Sequence, residues 1–100
     1  ERVVELLLRH GAEINLESSK GWTALMHAAN QGHERVVELL IRHGAEINLQ
    51  DIKGFTALMA AADNGHERVV ELLLQHGAEV NKQDSDGDSA LMLAAYSGHE

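Results

Sequence analysis

Cysteine and proline are both missing from this 100-residue chain, and only three of its residues are aromatic. Without cysteine there is no disulfide, no thiol nucleophile and no thiolate zinc site. Positive charge is scarce: eight Lys and Arg stand against sixteen Asp and Glu, a net charge of −8. That sign argues against a nucleic-acid partner, whose phosphates would be repelled. No apolar run approaches the roughly 18 residues of a membrane-spanning helix. The first residues are charged and unlike a secretory signal, so a cytoplasmic location is favoured and a membrane role is not expected. What remains is 44% hydrophobic and 24% charged, an ordinary balance for a folded domain. The length suits one domain, residues 1–100.

The dominant feature is self-similarity. Glycines recur at 11, 44 and 77, at 21, 54 and 87, and at 32, 65 and 98, always 33 residues apart. Residues 11–43 and 44–76 share 24 identities in 33 positions, and 77–100 continues the register as a partial unit. Residues 1–10 match the end of a preceding unit, since Glu1-Arg2-Val3-Val4-Glu5-Leu6-Leu7 recurs from Glu34 and from Glu67. A fixed period of this size marks stacked repeats.

Within one unit, Thr23 to Gln31 reads as a short alanine-rich helix with Thr23 as N-cap and Gly32 as terminator. His33 to His43 reads as a second helix, with Val36, Val37, Leu40 and Ile41 along one face, and Gly44 as its C-cap. An extended stretch then leads to a turn at Lys53-Gly54. The expectation is an all-α solenoid of antiparallel helix pairs with protruding hairpin-like loops, three outer and three inner helices in all.

The 33-residue period, the Thr-Ala-Leu-Met-x-Ala-Ala run, Gly-His-Glu-Arg-Val-Val-Glu-Leu-Leu and Gly-Ala-Glu-Ile-Asn together resemble the ankyrin repeat family. The resemblance spans the whole chain. Ala24, Ala57 and Ala90 stand where that family usually has Pro, which removes a residue preset for the first helical turn. Met26, Met59 and Met92 stand where it has a His that hydrogen-bonds the Thr. Ser89 replaces Thr in the last unit, and Ser18 replaces the turn Asp kept at 51 and 84. These departures bear on local hydrogen bonding rather than on the fold.

Seven histidines and an acidic loop invite a metal reading. Six histidines are periodic, and equivalent positions in stacked helices lie roughly 8–10 Å apart, too far for two imidazoles to share a zinc at about 2.0–2.1 Å each. His10, His43 and His76 suit a helix C-terminus, which favours a cation. His27 alone is aperiodic and is a candidate for the binding face. Asp84-Ser85-Asp86-Gly87-Asp88 resembles the opening of a calcium loop, but that pattern needs Gly at position six and Glu at twelve. Here Gly87 is fourth and Ala95 is twelfth, so an acidic turn is the better reading. No metal or cofactor and no nucleophile–base arrangement is expected, and the chain reads as no enzyme.

In a repeat array, framework positions recur and binding positions vary. Here the second helix is nearly constant, while differences gather in the loops and at the end of the first helix. The family resemblance implies that these places face a concave groove that binds other proteins. The candidates are Glu17, Ser19, Lys20, Trp22, Asn30 and Gln31; Gln50, Ile52, Lys53, Phe55, Asp63 and Asn64; and Gln83, Ser85, Asp86, Asp88, Tyr96 and Ser97. All three aromatics fall in this set and none in the expected core. Trp22 and Phe55 either anchor a partner or pack between adjacent loops. Residues 67–100 carry seven acids and two bases, so a partner with a basic stretch near that end is expected. The resemblance also marks Asn15, Asn48 and Asn81 as positions where a cytosolic hydroxylase modifies ankyrin asparagines; backbone bonding between loops is the alternative. Both ends carry apolar positions that need cover, which suggests head-to-tail self-association or membership of a longer array. The expected function is non-catalytic protein binding through the concave face. The alternative is an engineered or consensus-like scaffold, or a fragment of a longer array, without a dedicated ligand.

Overall fold

The computed structural model describes residues 2–100 and, over them, contains six helices and no strand. They are α1 (Arg2–Arg9), α2 (Ala24–Gln31), α3 (Glu34–Arg42), α4 (Ala57–Asp63), α5 (Glu67–Gln75) and α6 (Ala90–Tyr96). The short helices α2, α4 and α6 form an inner row, with α4 packed between the other two. Helix α3 lies on α2, α5 lies on α4, and α3 touches α5, so the longer helices form an outer row. The result is an elongated stack 40 × 26 × 20 Å.

Hydrogen bonding explains where each inner helix starts. Thr23 Oγ1 accepts from the Met26 backbone N–H at 3.3 Å, Thr56 Oγ1 from Met59 at 3.2 Å, and Ser89 Oγ from Met92 at 3.4 Å. Each satisfies an amide that the first helical turn leaves without a partner. The methionine in place of histidine is accommodated in the first full unit, where the Thr23 N–H points at the Met26 sulfur at 3.5 Å. Helix α3 is one residue shorter at each end than the expected His33–His43. His33 and His43 flank α3 as its caps. Gly44 stands just beyond the C-cap with φ 90°, and the Ala45 N–H returns to the Leu40 carbonyl at 3.0 Å, the bond of a Schellman ending.

The core is the seam between the rows. Leu25, Met26, Val37, Leu40, Leu58, Met59, Val69, Leu72 and Leu73 are buried, with the small alanines of α2 and α4 letting the helices approach. Of the four apolar positions expected on α3, Val37 and Leu40 are buried, and Val36 and Ile41 are half-covered. No buried side-chain nitrogen or oxygen among the described residues lacks a partner. No described helix is long and apolar enough to cross a membrane.

Three of the periodic histidines bond backbone carbonyls through their rings. The ring N–H of His66 donates from Nε2 to the Asn30 carbonyl at 2.9 Å, and His99 does the same to Asp63 at 2.9 Å. His43 donates from Nδ1 to the Leu39 carbonyl at 2.9 Å, at the end of its own helix. The repeated asparagines also bridge units: Asn15 Oδ1 accepts from the Glu46 N–H and Asn48 Oδ1 from the Glu79 N–H, at 2.9 and 2.8 Å.

Candidate functional site

Each loop is closed by backbone bonds across its tip: Ser18 N–H to Trp22 O, Asp51 N–H to Phe55 O, and Asp84 N–H to Asp88 O, at 2.8–2.9 Å. A side chain inside each turn takes two further amides. Asp51 Oδ1 accepts from Lys53 and Phe55 at 2.9 and 2.8 Å, and Asp84 Oδ1 from Asp86 and Asp88 at the same distances. Ser18 Oγ fills this role in the first loop with longer bonds, 3.4 Å from Lys20 and 3.2 Å from Trp22. Neighbouring loops are tied in register by Ile52 N–H to Lys20 O at 3.1 Å and Ser85 N–H to Lys53 O at 2.9 Å.

This scaffold holds an open hollow of about 650 Å³ between the first two loops. Lys20, Trp22, Asn30, Ile52, Lys53 and Phe55 line it, joined by Ser18, Ser19, His27 and Asp51. His27 sits beside Trp22 with ring centroids 4.8 Å apart and planes tilted by 48°. Ile52 is 69% exposed at its rim. Among the described residues, neither Lys20 nor Lys53 has a carboxylate in ion-pair range, whereas Arg2, Arg9, Arg68 and Lys82 each pair with a nearby glutamate.

No aromatic is among the buried residues of the core, but two of the three rings lean on it. Trp22 and Phe55 are half-buried and pack against the core cluster, while lining the hollow. A loop that folds back over the inner helices leaves an indole or phenyl ring nowhere else to put its inner edge. Tyr96 is 93% exposed and lies outside the hollow. It is the repeat equivalent of Asn30 and Asp63 and so sits at the same place two units on.

The other candidates divide. Asn64 donates to Asn30 Oδ1 at 2.7 Å and to the Ala60 carbonyl at 2.9 Å, and Asp63 Oδ1 accepts from the Ser97 hydroxyl at 2.9 Å. These polar residues form a ladder along the ends of the inner helices. Gln31 is exposed beside them. Asp86 and Asp88 belong to the third loop. Their carboxylates and that of Asp84 have oxygens within 4.8 Å of one another, as the turn itself dictates. Of the residues lining the hollow, Ser18 and Asp51 escaped the sequence reading, because they looked like turn residues and are also that.

A second hollow, about 740 Å³, lies at the far end between Val70, Glu71, Ala94 and His99. One repeat earlier, the corresponding space is filled by α5, so it is a surface on which repeats stack.

Fold and site together define a stacked helix-pair repeat protein with an open hollow built by its loops. The family model for ankyrin repeats (3 copies) matches residues 1–84 and again 50–100. The chain therefore belongs to the ankyrin repeat family, whose members are generally non-catalytic modules of protein–protein interaction. No curated protein matches the chain closely enough to count as a relative.

Proposed function

We propose that this chain is a non-catalytic interaction module that holds a segment of a partner protein against its loop and inner-helix face. One observation carries the reading: Trp22, His27, Phe55 and the exposed Ile52 meet in a single open hollow rimmed by two unpaired lysines. Large rings anchored on one side and open on the other offer much contact area at little entropic cost, which is why they dominate interface energetics. Tyr96, Asp63, Asp86 and Asp88 extend the surface toward the more acidic end, where a basic part of the partner is favoured.

The test uses variants on opposite faces. Ile52→Ser, which touches little of the core, and Trp22→Ala are expected to weaken partner capture by about tenfold or more. Glu38→Ser on the outer helix α3 should leave it unchanged. Because Trp22 also packs inward, its urea midpoint is measured alongside, and Ile52→Ser is the cleaner probe. Equal capture by the wild type and Ile52→Ser, or loss with Glu38→Ser, would reject the concave face.

A second contact is favoured by the exposed apolar side chains Val3, Leu7, Leu91 and Met92 at the two ends of the stack. They occupy positions that pack between repeats elsewhere, so another repeat, from this or a second copy, fits against them. Light scattering across concentration should then show association of this chain; a monomer throughout excludes it.

A further inference from the structure

Repeat register stacks three columns across the loop tips, and their contents change abruptly. One column reads Lys20, Lys53, Asp86; the next reads Trp22, Phe55, Asp88; the third reads Ser19, Ile52, Ser85. The first two loops thus carry both lysines and both rings, and the third carries carboxylates in their place. This is the only part of the described loop surface where cations lack a partner. All five arginines lie on the outer helices, and Lys82 pairs with Glu79 at 4.0 Å. The hollow also holds one carboxylate, Asp51, whose Oδ1 faces the turn and accepts from two backbone amides at 2.8–2.9 Å. Two ammonium groups against one carboxylate leave this notch with a local positive excess over an aromatic floor, set in a molecule of net charge −8.

Building on the interaction reading above, we propose that this notch takes an acidic peptide segment of a partner protein. An apolar side chain seats against Trp22, Phe55 and Ile52, and an adjacent carboxylate faces Lys20 and Lys53. Seating the apolar group displaces water from the floor, and a drier surround strengthens the ammonium–carboxylate attraction beside it. The net negative charge of the chain opposes an acidic partner at long range, so the lysines act locally, as a specificity element rather than a steering field. The carboxylates of the third loop bound the notch on one side and repel an acidic segment that runs on past Phe55.

Trp22 is the only tryptophan, so its fluorescence reports on this hollow alone. The probes are four blocked nonapeptides with a central leucine flanked by glutamates, by lysines or by glutamines, or a central alanine flanked by glutamates, together with an eight-nucleotide single-stranded DNA. The glutamate-flanked leucine peptide is expected to give a saturable change and to bind about 3- to 30-fold tighter than its glutamine counterpart. The lysine-flanked and alanine peptides should bind weakest. Lys20→Gln/Lys53→Gln, at two exposed positions, should abolish the preference for glutamate over glutamine without altering the circular-dichroism spectrum. Equal binding of the glutamate and glutamine peptides overturns the inference but leaves the hollow as a docking site. Preference for the lysine peptide, tighter binding of the DNA, or no response of Trp22 to any peptide overturns it too. The interaction reading itself stands or falls on partner capture by the Ile52→Ser and Glu38→Ser variants.

Discussion

Helices α4 and α6 begin with the same three residues, Ala-Leu-Met, and share the same cap geometry, yet they live in different surroundings. Every residue of α4 from Ala57 to Ala62 is buried, whereas in α6 only Ala90 is. Leu58 is 3% exposed and its equivalent Leu91 is 74% exposed. The same local sequence makes the same helix in both places, so helix formation here is a matter of capping and short-range pattern. Burial is a matter of neighbours: α4 has α2 on one side, α6 on the other and α5 across its back. Core and surface in a stacked protein are thus properties of position in the stack, not of the residue type at a repeat position.

The sharpest way to break this comparison is to cut the same side chain from both helices. Leu58→Ala leaves a cavity between the two rows and is expected to cost about 2–5 kcal/mol. Leu91→Ala removes an exposed side chain and should stay within about 0.5 kcal/mol of the wild type. Urea unfolding followed by circular dichroism measures both. Equal losses would mean that the exposed face of α6 is covered in solution, which points directly to the end-face association proposed above.

A smaller contrast sits at the ends of α2 and α6. Gly32 and Gly98 occupy equivalent positions with φ 75° and 79°, a left-handed geometry that costs any other residue about 1–2 kcal/mol. A Cβ on Gly32 would stand 2.6 Å from Nδ1 of His66, while one on Gly98 would meet nothing within 4 Å. Gly98→Ala should therefore lose only the backbone term. Gly32→Ala should lose that and about 1 kcal/mol more, because the displaced His66 ring gives up its bond to the Asn30 carbonyl. Comparable urea midpoints for the two variants would show that the ring yields at no cost.

These pairs also mark what the sequence could and could not reveal. The period, the Thr caps and the terminating glycines were legible because they act over a few residues and recur three times. The residues that line the hollow were legible as a set, since variation against a constant framework singled out Lys20, Trp22, Ile52, Lys53 and Phe55. Their grouping was not. That Tyr96 stands apart from Trp22 and Phe55, and that His27 joins Trp22, depends on how far one loop leans over its neighbour's helix. That Trp22 and Phe55 pack inward while still lining the hollow stayed open between two readings for the same reason. Asn15 and Asn48 had two open readings, and only through-space bonds to Glu46 and Glu79 reveal that their side chains tie loops together.

The finest contrast is between the first loop and the two that follow. Asp51 and Asp84 each take two amides at 2.8–2.9 Å, while Ser18 takes the equivalent pair at 3.2 and 3.4 Å. A carboxylate is a stronger acceptor than a hydroxyl and reaches further into the turn. Ser18→Asp should therefore shorten those bonds and raise stability, by about 0.5 kcal/mol given the exposure of the loop. The gain should appear as a higher urea midpoint with an unchanged slope. The same change adds a negative charge to the rim of the hollow beside Lys20. If the two lysines select an acidic segment, Ser18→Asp must weaken the glutamate-flanked peptide about two- to fivefold, the effect of one nearby like charge at a solvated site. Stability and affinity would then move in opposite directions from one substitution. A variant more stable and equally tight would leave the turn argument intact and remove the charge argument.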